Sequence, residues 1–244
     1  MHDSTMPVTG MVLAAGLGTR MRPITNTLPK PLVEVAGQTL LDYALDALSR
    51  ANINRAIINV HYLADQIEDH LQRRDLPKVE ISDERALLLD SGGGVKRALS
   101  GEPDGTVVIL NADSFWVDED KPNISRLLDR WDPTRMDKLL LLARPFQATG
   151  YDGVGDFFMD DEGALTRRGS SPSAPYVYAG AIVTKVSSLM AVPEDVFSLN
   201  RLFDQSIASN RLYGCPLDGL WLHVGTPESI DEAEQAIERH ATPG

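Results

Sequence analysis

The chain holds a single cysteine, Cys215, so no disulfide can close within it. That count suits a reducing compartment, and a cytoplasmic location is expected. Between Gly214 and Pro216, the thiol reads as core packing. No apolar run approaches the ~20 residues of a membrane span, and the first ten residues lack the apolar core of a secretory signal. Positive charge is scarce. With 23 Lys and Arg against 35 Asp and Glu, the formal net charge is −12. This balance argues against nucleic acid or an anionic membrane as a partner. The chain also lacks the G-K-[ST] of a P-loop. The third glycine of a dinucleotide fingerprint is missing too, since Met21 stands in its place. A nicotinamide site would further need an acid at a strand end about 20 residues past the glycines. Asp42 falls near that distance, but inside a predicted helix.

What is present gathers in one stretch, Gly10 to Gly37. Met11 to Ala15 is an apolar run of a length that suits a buried strand. A turn follows, with Gly16 and Gly18 two apart and Thr19-Arg20 behind them. Glycines admit a phosphate close to the backbone, and successive N–H groups in such a turn cradle anions. Arg20 and Arg22 offer forked positive charge to phosphate oxygens. Pro29 and Pro31 stiffen the backbone on both sides of Lys30. Only Glu34 opposes these three cations between residues 11 and 37, so the stretch runs against the sign of the whole chain.

The rest reads as alternating strands and helices, hence an α/β fold with a parallel sheet and right-handed crossovers. A single domain is expected, with residues 1–7 as a loose tail. Helices are predicted over Thr39–Ala51, Ala64–Gln72, Asn123–Trp131 and Leu199–Ala208, and from Thr226-Pro227-Glu228 onward. Another opens at Ser91-Gly92-Gly93-Gly94 and runs through Leu99. Strands are predicted over Arg55–Val60, Lys78–Ser82, Thr106–Leu110, Lys138–Ala143, Tyr176–Val183 and Leu220–Val224. From 147 to 175 Gly, Pro, Ser and Asp dominate, which suits a substrate-facing insertion. Asp113 follows a buried strand, at the carboxyl end where open α/β sheets place their sites.

The blocks L-A-A-G-L-G-T-R-M-R-P and L-P-K-P-L, in this order and at this spacing, resemble the signature of the sugar-1-phosphate nucleotidyltransferases. The resemblance implies a Rossmann-like, mostly parallel mixed sheet flanked by helices, with a small hairpin region over the substrate. It implies transfer of a nucleotidyl group from a nucleoside triphosphate to a sugar 1-phosphate, with release of pyrophosphate. Arg20 would hold the leaving pyrophosphate, and Lys30 would touch the reacting phosphates. Ala14, Ala15, Gly16, Gly18 and Thr19 would face the nucleotide, with Ser91 and Gly93 against its base. Asp113 in L-N-A-D takes the place of the family's strand-end metal ligand, with Mg²⁺ as the expected ion.

Two departures stand out. In W-L-H-V-G-T, His223 replaces the family's second metal-binding aspartate. Imidazole suits Mn²⁺ or Co²⁺ better than Mg²⁺. His223 is therefore expected to bind metal weakly, to touch a phosphate, or to leave its place to water. The family's E-K-P is also missing; Arg167 or Arg168 is the candidate for its lysine, and Gly153, Asp156 and Gly180 for the rest of the sugar-phosphate pocket. The short length and the tail F-S-L-N-R-L-F most resemble a uridylyl-transferring branch of cell-wall recycling, with mannose or heptose 1-phosphate guanylyltransferases as competitors. A non-catalytic nucleotide-sugar sensor is the alternative of another class, and His223 is the one feature that favours it. A monomer or small homo-oligomer is expected.

Overall fold

A computed structural model describes residues 8–241; the expected tail at 1–7 lies outside the described residues. The first half contains β1 (Thr9–Leu13), β2 (Glu34–Val35), β3 (Gln38–Thr39), α1 (Leu40–Arg50), β4 (Arg55–Val60), α2 (Ala64–Leu71), β5 (Lys78–Asp83) and α3 (Asp90–Ala98). β6 (Thr106–Asn111), β7 (Ser114–Asp118), α4 (Asn123–Arg130) and β8 (Lys138–Ala143) follow. Next come β9 (Ala148–Thr149), β10 (Phe157–Met159), β11 (Leu165–Arg167), β12 (Val177–Lys185) and α5 (Val186–Met190). The described chain closes with α6 (Leu199–Ala208), β13 (Leu212–Pro216), β14 (Gly219–His223) and α7 (Glu228–Ala241).

Seven strands form the central sheet in the order β13-β8-β12-β6-β1-β4-β5. Only β12 runs antiparallel to its neighbours; the remaining pairs are parallel. Successive strand residues point to opposite faces. Val12, Ile58, Leu110 and Leu141 thus pack under α1, α2 and α4, while Met11, Ile57, Ile109 and Leu140 pack under α3, α5 and α6. Helix α1 shows how the local sequence sets its element. The Thr39 hydroxyl accepts the Asp42 N–H at 3.1 Å as an N-cap, and Leu41, Ala44, Leu45 and Leu48 form the buried stripe.

Two strands depart from the sequence expectation. β13 was not foreseen, because Gly214 and Pro216 interrupt its apolar pattern; it pairs with β8 at the sheet edge, where a proline is tolerated. The strand expected at Leu220–Val224 does not join the main sheet. As β14 it lies between β7 and β9 in a small three-stranded sheet. Met21, Val33, Phe115, Leu222, Val224 and Ala233 bury a separate apolar cluster that fastens this small sheet to α7. The insertion at 147–175 holds β9 and the hairpin β10–β11.

Lys138 opens β8 with 4% of its surface exposed, and its Nζ donates to Ser206 Oγ at 3.2 Å. Burial pushes its amine down to about 8, against the opposing pull of Asp137. Below that pH, both folded and unfolded chains carry the charge, and the folded state bears the full cost of burying it. Between about 8 and the ordinary 10.5 the unfolded chain binds more protons, so stability rises with pH across this window. Lys138→Met is expected to stabilise the fold at pH 7 by on the order of 1–3 kcal/mol and to flatten that rise. Urea unfolding midpoints at pH 7 and pH 10 measure both effects.

Candidate active site

β1 delivers the chain to the carboxyl edge of the sheet, where the Ala14 N–H donates to Asn59 Oδ1 at 2.8 Å. The turn that follows tightens at Gly18, whose φ is +59°. A side chain there would lie 3.0 Å from both Lys30 Cβ and Thr25 Cγ2, so this glycine lets the turn close onto the lysine's own segment. Met21 anchors the turn in the core and leaves Arg20 exposed. Pro31 and Leu32 are buried on the far side, and they fix the short helical turn from which Lys30 projects.

The Lys30 Nζ lies 3.1 Å from Asp113 Oδ2. Asp113 sits between β6 and β7, and its carbonyl accepts the Val224 N–H at 3.0 Å. β7 and β14 then pair with Ser114 opposite His223, which sets the imidazole beside the aspartate. Burial alone would raise the Asp113 carboxyl's pKa, but Lys30, His223 and Arg20 outweigh it and hold the group below the usual carboxylate range. His223 moves down as well. Burial is the main cause, Lys30 and Arg20 add to it, and Asp113 and Asp152 oppose it. At neutral pH the site therefore holds an ionised carboxylate and an uncharged imidazole, the state in which each can ligate a cation. Trp221 stacks on the His223 ring at 5.9 Å. Gly225 leaves space for two side chains at once: a Cβ there would fall 2.9 Å from His223 Nε2 and 3.5 Å from Arg20 Nη1.

Two cavities meet around this cluster. The larger, about 530 Å³, is lined by Ala14, Ala15, Gly16, Lys30, Ser91 and Asp113, among others. The second, about 410 Å³, is lined by Arg20, Tyr151, Gly153, His223, Gly225 and Thr226, among others. Gly18 and Thr19 support the turn without lining either cavity.

Several expected site residues are placed otherwise. Gly93 does not line the larger cavity. Residues 91–94 lie in the first turns of α3, where a helix was expected to open, and Gly93 faces a separate hollow beside Leu89, Lys96 and Met190. Asp156 braces the sheet, its Oδ2 accepting the Tyr178 N–H at 3.0 Å. Gly180, at φ +90°, sits in the register shift of β12, where a side chain would fall 2.3 Å from Ser114 Oγ. It lines neither cavity. Arg167 bonds to Asp204 and Asn200 and lies over the rings of Phe157 and Phe203. Arg168 donates to the carbonyls of Gly155 and Ser171. With both guanidinium groups committed in this way, the missing lysine has no evident replacement at these two positions.

The sequence reading missed the cavity floor. Asn59 and Glu84, 1% and 0% exposed, are joined by an Asn59 Nδ2–Glu84 Oε1 bond of 2.7 Å. Glu84 also accepts the Leu89 N–H, and His61 Nδ1 lies 2.7 Å from its carbonyl oxygen. The signal available was a polar residue near the end of each of two neighbouring strands, β4 and β5.

As a metal site, the cluster offers one carboxylate and one imidazole. Among the described residues, no three His, Cys, Asp or Glu side chains come together to hold an ion. Such a pair fits a cation that takes its remaining ligands from phosphate oxygens and water.

A family model described as nucleotidyl transferase matches residues 9–145. The chain is also 42% identical to the N-acetylmuramate alpha-1-phosphate uridylyltransferase of Caulobacter vibrioides, over 96% of this chain and 98% of that one. This chain belongs to the nucleotidyl transferase family. A second relative of this transferase, the N-acetylmuramate alpha-1-phosphate uridylyltransferase of Neisseria meningitidis, is 30% identical over 92% of this chain and 96% of its own. The solved structure of HddC from Yersinia pseudotuberculosis shares the fold, with a TM-score of 0.73 at 22% identity over 94% and 99% of the two chains.

Lys30→Ala removes the positive end of the cluster without opening the core. The transferase is then expected to lose roughly 100-fold or more in turnover, with its circular dichroism spectrum and thermal midpoint little changed. Turnover close to that of the parent would remove Lys30 from the chemistry.

Proposed function

We propose that the transferase moves the uridylyl group of UTP onto N-acetylmuramate 1-phosphate, giving the UDP-sugar and pyrophosphate in the cytoplasm. The observation that carries this reading is the convergence of Lys30, Arg20, Asp113 and His223 between two cavities in an otherwise acidic protein. The 42% identity to a uridylyltransferase of this specificity supports the choice of substrates.

An oxygen of the sugar phosphate attacks the α-phosphorus of UTP, and the bond from that phosphorus to the bridging oxygen of the β-phosphate breaks. The nucleophile is already ionised at neutral pH, so no general base is needed and no covalent intermediate forms on the protein. The residues contribute position and charge. The Lys30 ammonium neutralises the α-phosphate as charge redistributes, and Asp113 keeps that ammonium aimed. Arg20, on the side of the second cavity, holds the departing pyrophosphate. Asp113 and His223 would hold a divalent ion, Mg²⁺ or, with an imidazole in the set, Mn²⁺ or Co²⁺, which would supply charge neutralisation on the phosphates.

Pyrophosphate release tests the assignment, using UTP, GTP, CTP and dTTP against the 1-phosphates of N-acetylmuramate, mannose and glucose. UTP with N-acetylmuramate 1-phosphate is expected to give the highest kcat/KM. A tenfold preference for another pair, such as GTP with mannose 1-phosphate, would overturn the assignment. His223→Asp is expected to raise Mg²⁺-supported turnover relative to Mn²⁺-supported turnover, by replacing a nitrogen donor with an oxygen donor. An unchanged ratio would show that the ring does not meet the metal.

A further inference from the structure

Two of the three glycines at the start of α3 are shaped by a later part of the chain. A Cβ on Gly92 would fall 2.3 Å from the Phe197 ring, and one on Gly93 would fall 2.0 Å from the Asp195 carbonyl oxygen. The N–H groups of Gly92 and Gly93 both donate to the Phe197 carbonyl, at 2.8 and 3.1 Å. Leu199 N–H donates to Ser91 Oγ at 3.0 Å. Lys96 Nζ reaches the Glu194 carbonyl and Asp195 Oδ1, each at 3.0 Å. Residues 194–199 thus form a strap latched to the first turns of α3, and these glycines are the space it occupies.

The strap presents one side chain to the larger cavity. Val196 is 53% exposed and lines it, together with Leu88, which is 36% exposed. Its neighbour Phe197 is buried in the core and pins the strap from below. The place of these two aliphatic side chains follows from the sheet. Asp113 follows β6, whereas Leu88 lies in the connection after β5, and the order β6-β1-β4-β5 separates them by three strand spacings, or about 14 Å. One end of the cavity therefore carries the Lys30–Asp113 pair, and the other carries the aliphatic Leu88 and Val196 beside Asp90 and Ser91. A nucleotide has the same polarity, phosphates at one end and a flat, weakly solvated ring at the other.

We propose that Val196, held by the latched strap, and Leu88 form the apolar seat for the face of the nucleobase, so that Val196 is a determinant of nucleotide affinity and Lys96 its positioning residue. This rests on the nucleotidyl-transfer reading of the same cavity but not on the identity of the sugar. Apolar contact with a base face removes area from water on both partners, and a side chain already fixed loses little freedom on binding. The strap's hydrogen bonds supply that fixation.

The test is calorimetric titration of the full chain with UTP and Mg²⁺ in the absence of sugar phosphate, followed by steady-state kinetics. Val196→Ala is expected to weaken UTP binding about tenfold, and Val196→Asp to weaken it further through repulsion of the nucleotide. KM for UTP should rise in parallel, with kcat and the KM for the sugar phosphate within about twofold of the parent. Lys96→Ala is expected to raise KM for UTP alone, and Lys96→Arg to restore it. Val196 is exposed, so folding is not at risk, and thermal midpoints check this. UTP affinity within twofold of the parent in both Val196 variants would overturn the proposal, as would a loss confined to kcat. Failure of the parent to use N-acetylmuramate 1-phosphate, with Val196-dependent UTP binding intact, would overturn the sugar assignment and leave this inference standing.

Discussion

An ammonium and a carboxylate 3.1 Å apart tie together two parts of the chain that lie 83 residues from one another. The contact between Lys30 and Asp113 is the constraint on which the site depends. Each group is partly withdrawn from water, with 12% and 32% of the side chain exposed, and each faces the opposite charge of the other. Their mutual hold explains much of the local backbone: a tight turn at Gly18 that closes onto the lysine, buried Pro31 and Leu32 behind it, and a strand that stops at Asn111 so that Asp113 can face back. A phosphate entering here meets cations already in place, in a protein whose overall charge would otherwise repel it.

Around that pair the two cavities have different characters. One runs from charge toward aliphatic side chains, and the other is walled by Arg20, Asp152, His223 and Glu232 along with Tyr151 and Thr226. The cluster is divided between them, Lys30 and Asp113 on one and Arg20 and His223 on the other, which suits a reaction with two phosphorylated substrates meeting at one phosphorus. The uncharged state of His223 at neutral pH follows mainly from its burial, and the neighbouring Lys30 and Arg20 add to it.

Much of this was legible in the sequence. The helix over 40–50 could be read from its cap and its stripe, the strand at 55–60 from its β-branched run, and the meeting of Lys30 with Asp113 from two short blocks and a strand end. What was misread shares one physical cause: the partner was distant in the chain. Gly92 and Gly93 signal close approach in any setting, and nothing local says whether the approaching group is a ligand or residues 195–197. Arg167 and Arg168 looked available because Asp204, Asn200 and the carbonyl of Ser171 come near them only in the fold. Glu84 meets Asn59 only in the fold. The edge strand at 212–216 hides behind Gly214 and Pro216, which break its apolar pattern, and it forms along the edge that β8 offers.

The hydrogen bond from the Val224 N–H to the Asp113 carbonyl has a wider consequence. It joins the turn after β6 to a small sheet whose apolar backing comes from Met21, Val33 and Leu40 and, on α7, from Ala233 and Ala236. The imidazole is thus placed by the β7 ladder at its side and by the packing of α7 behind it, and a substitution at Ala233 or Ala236, neither of which lines a cavity, would be felt at the site.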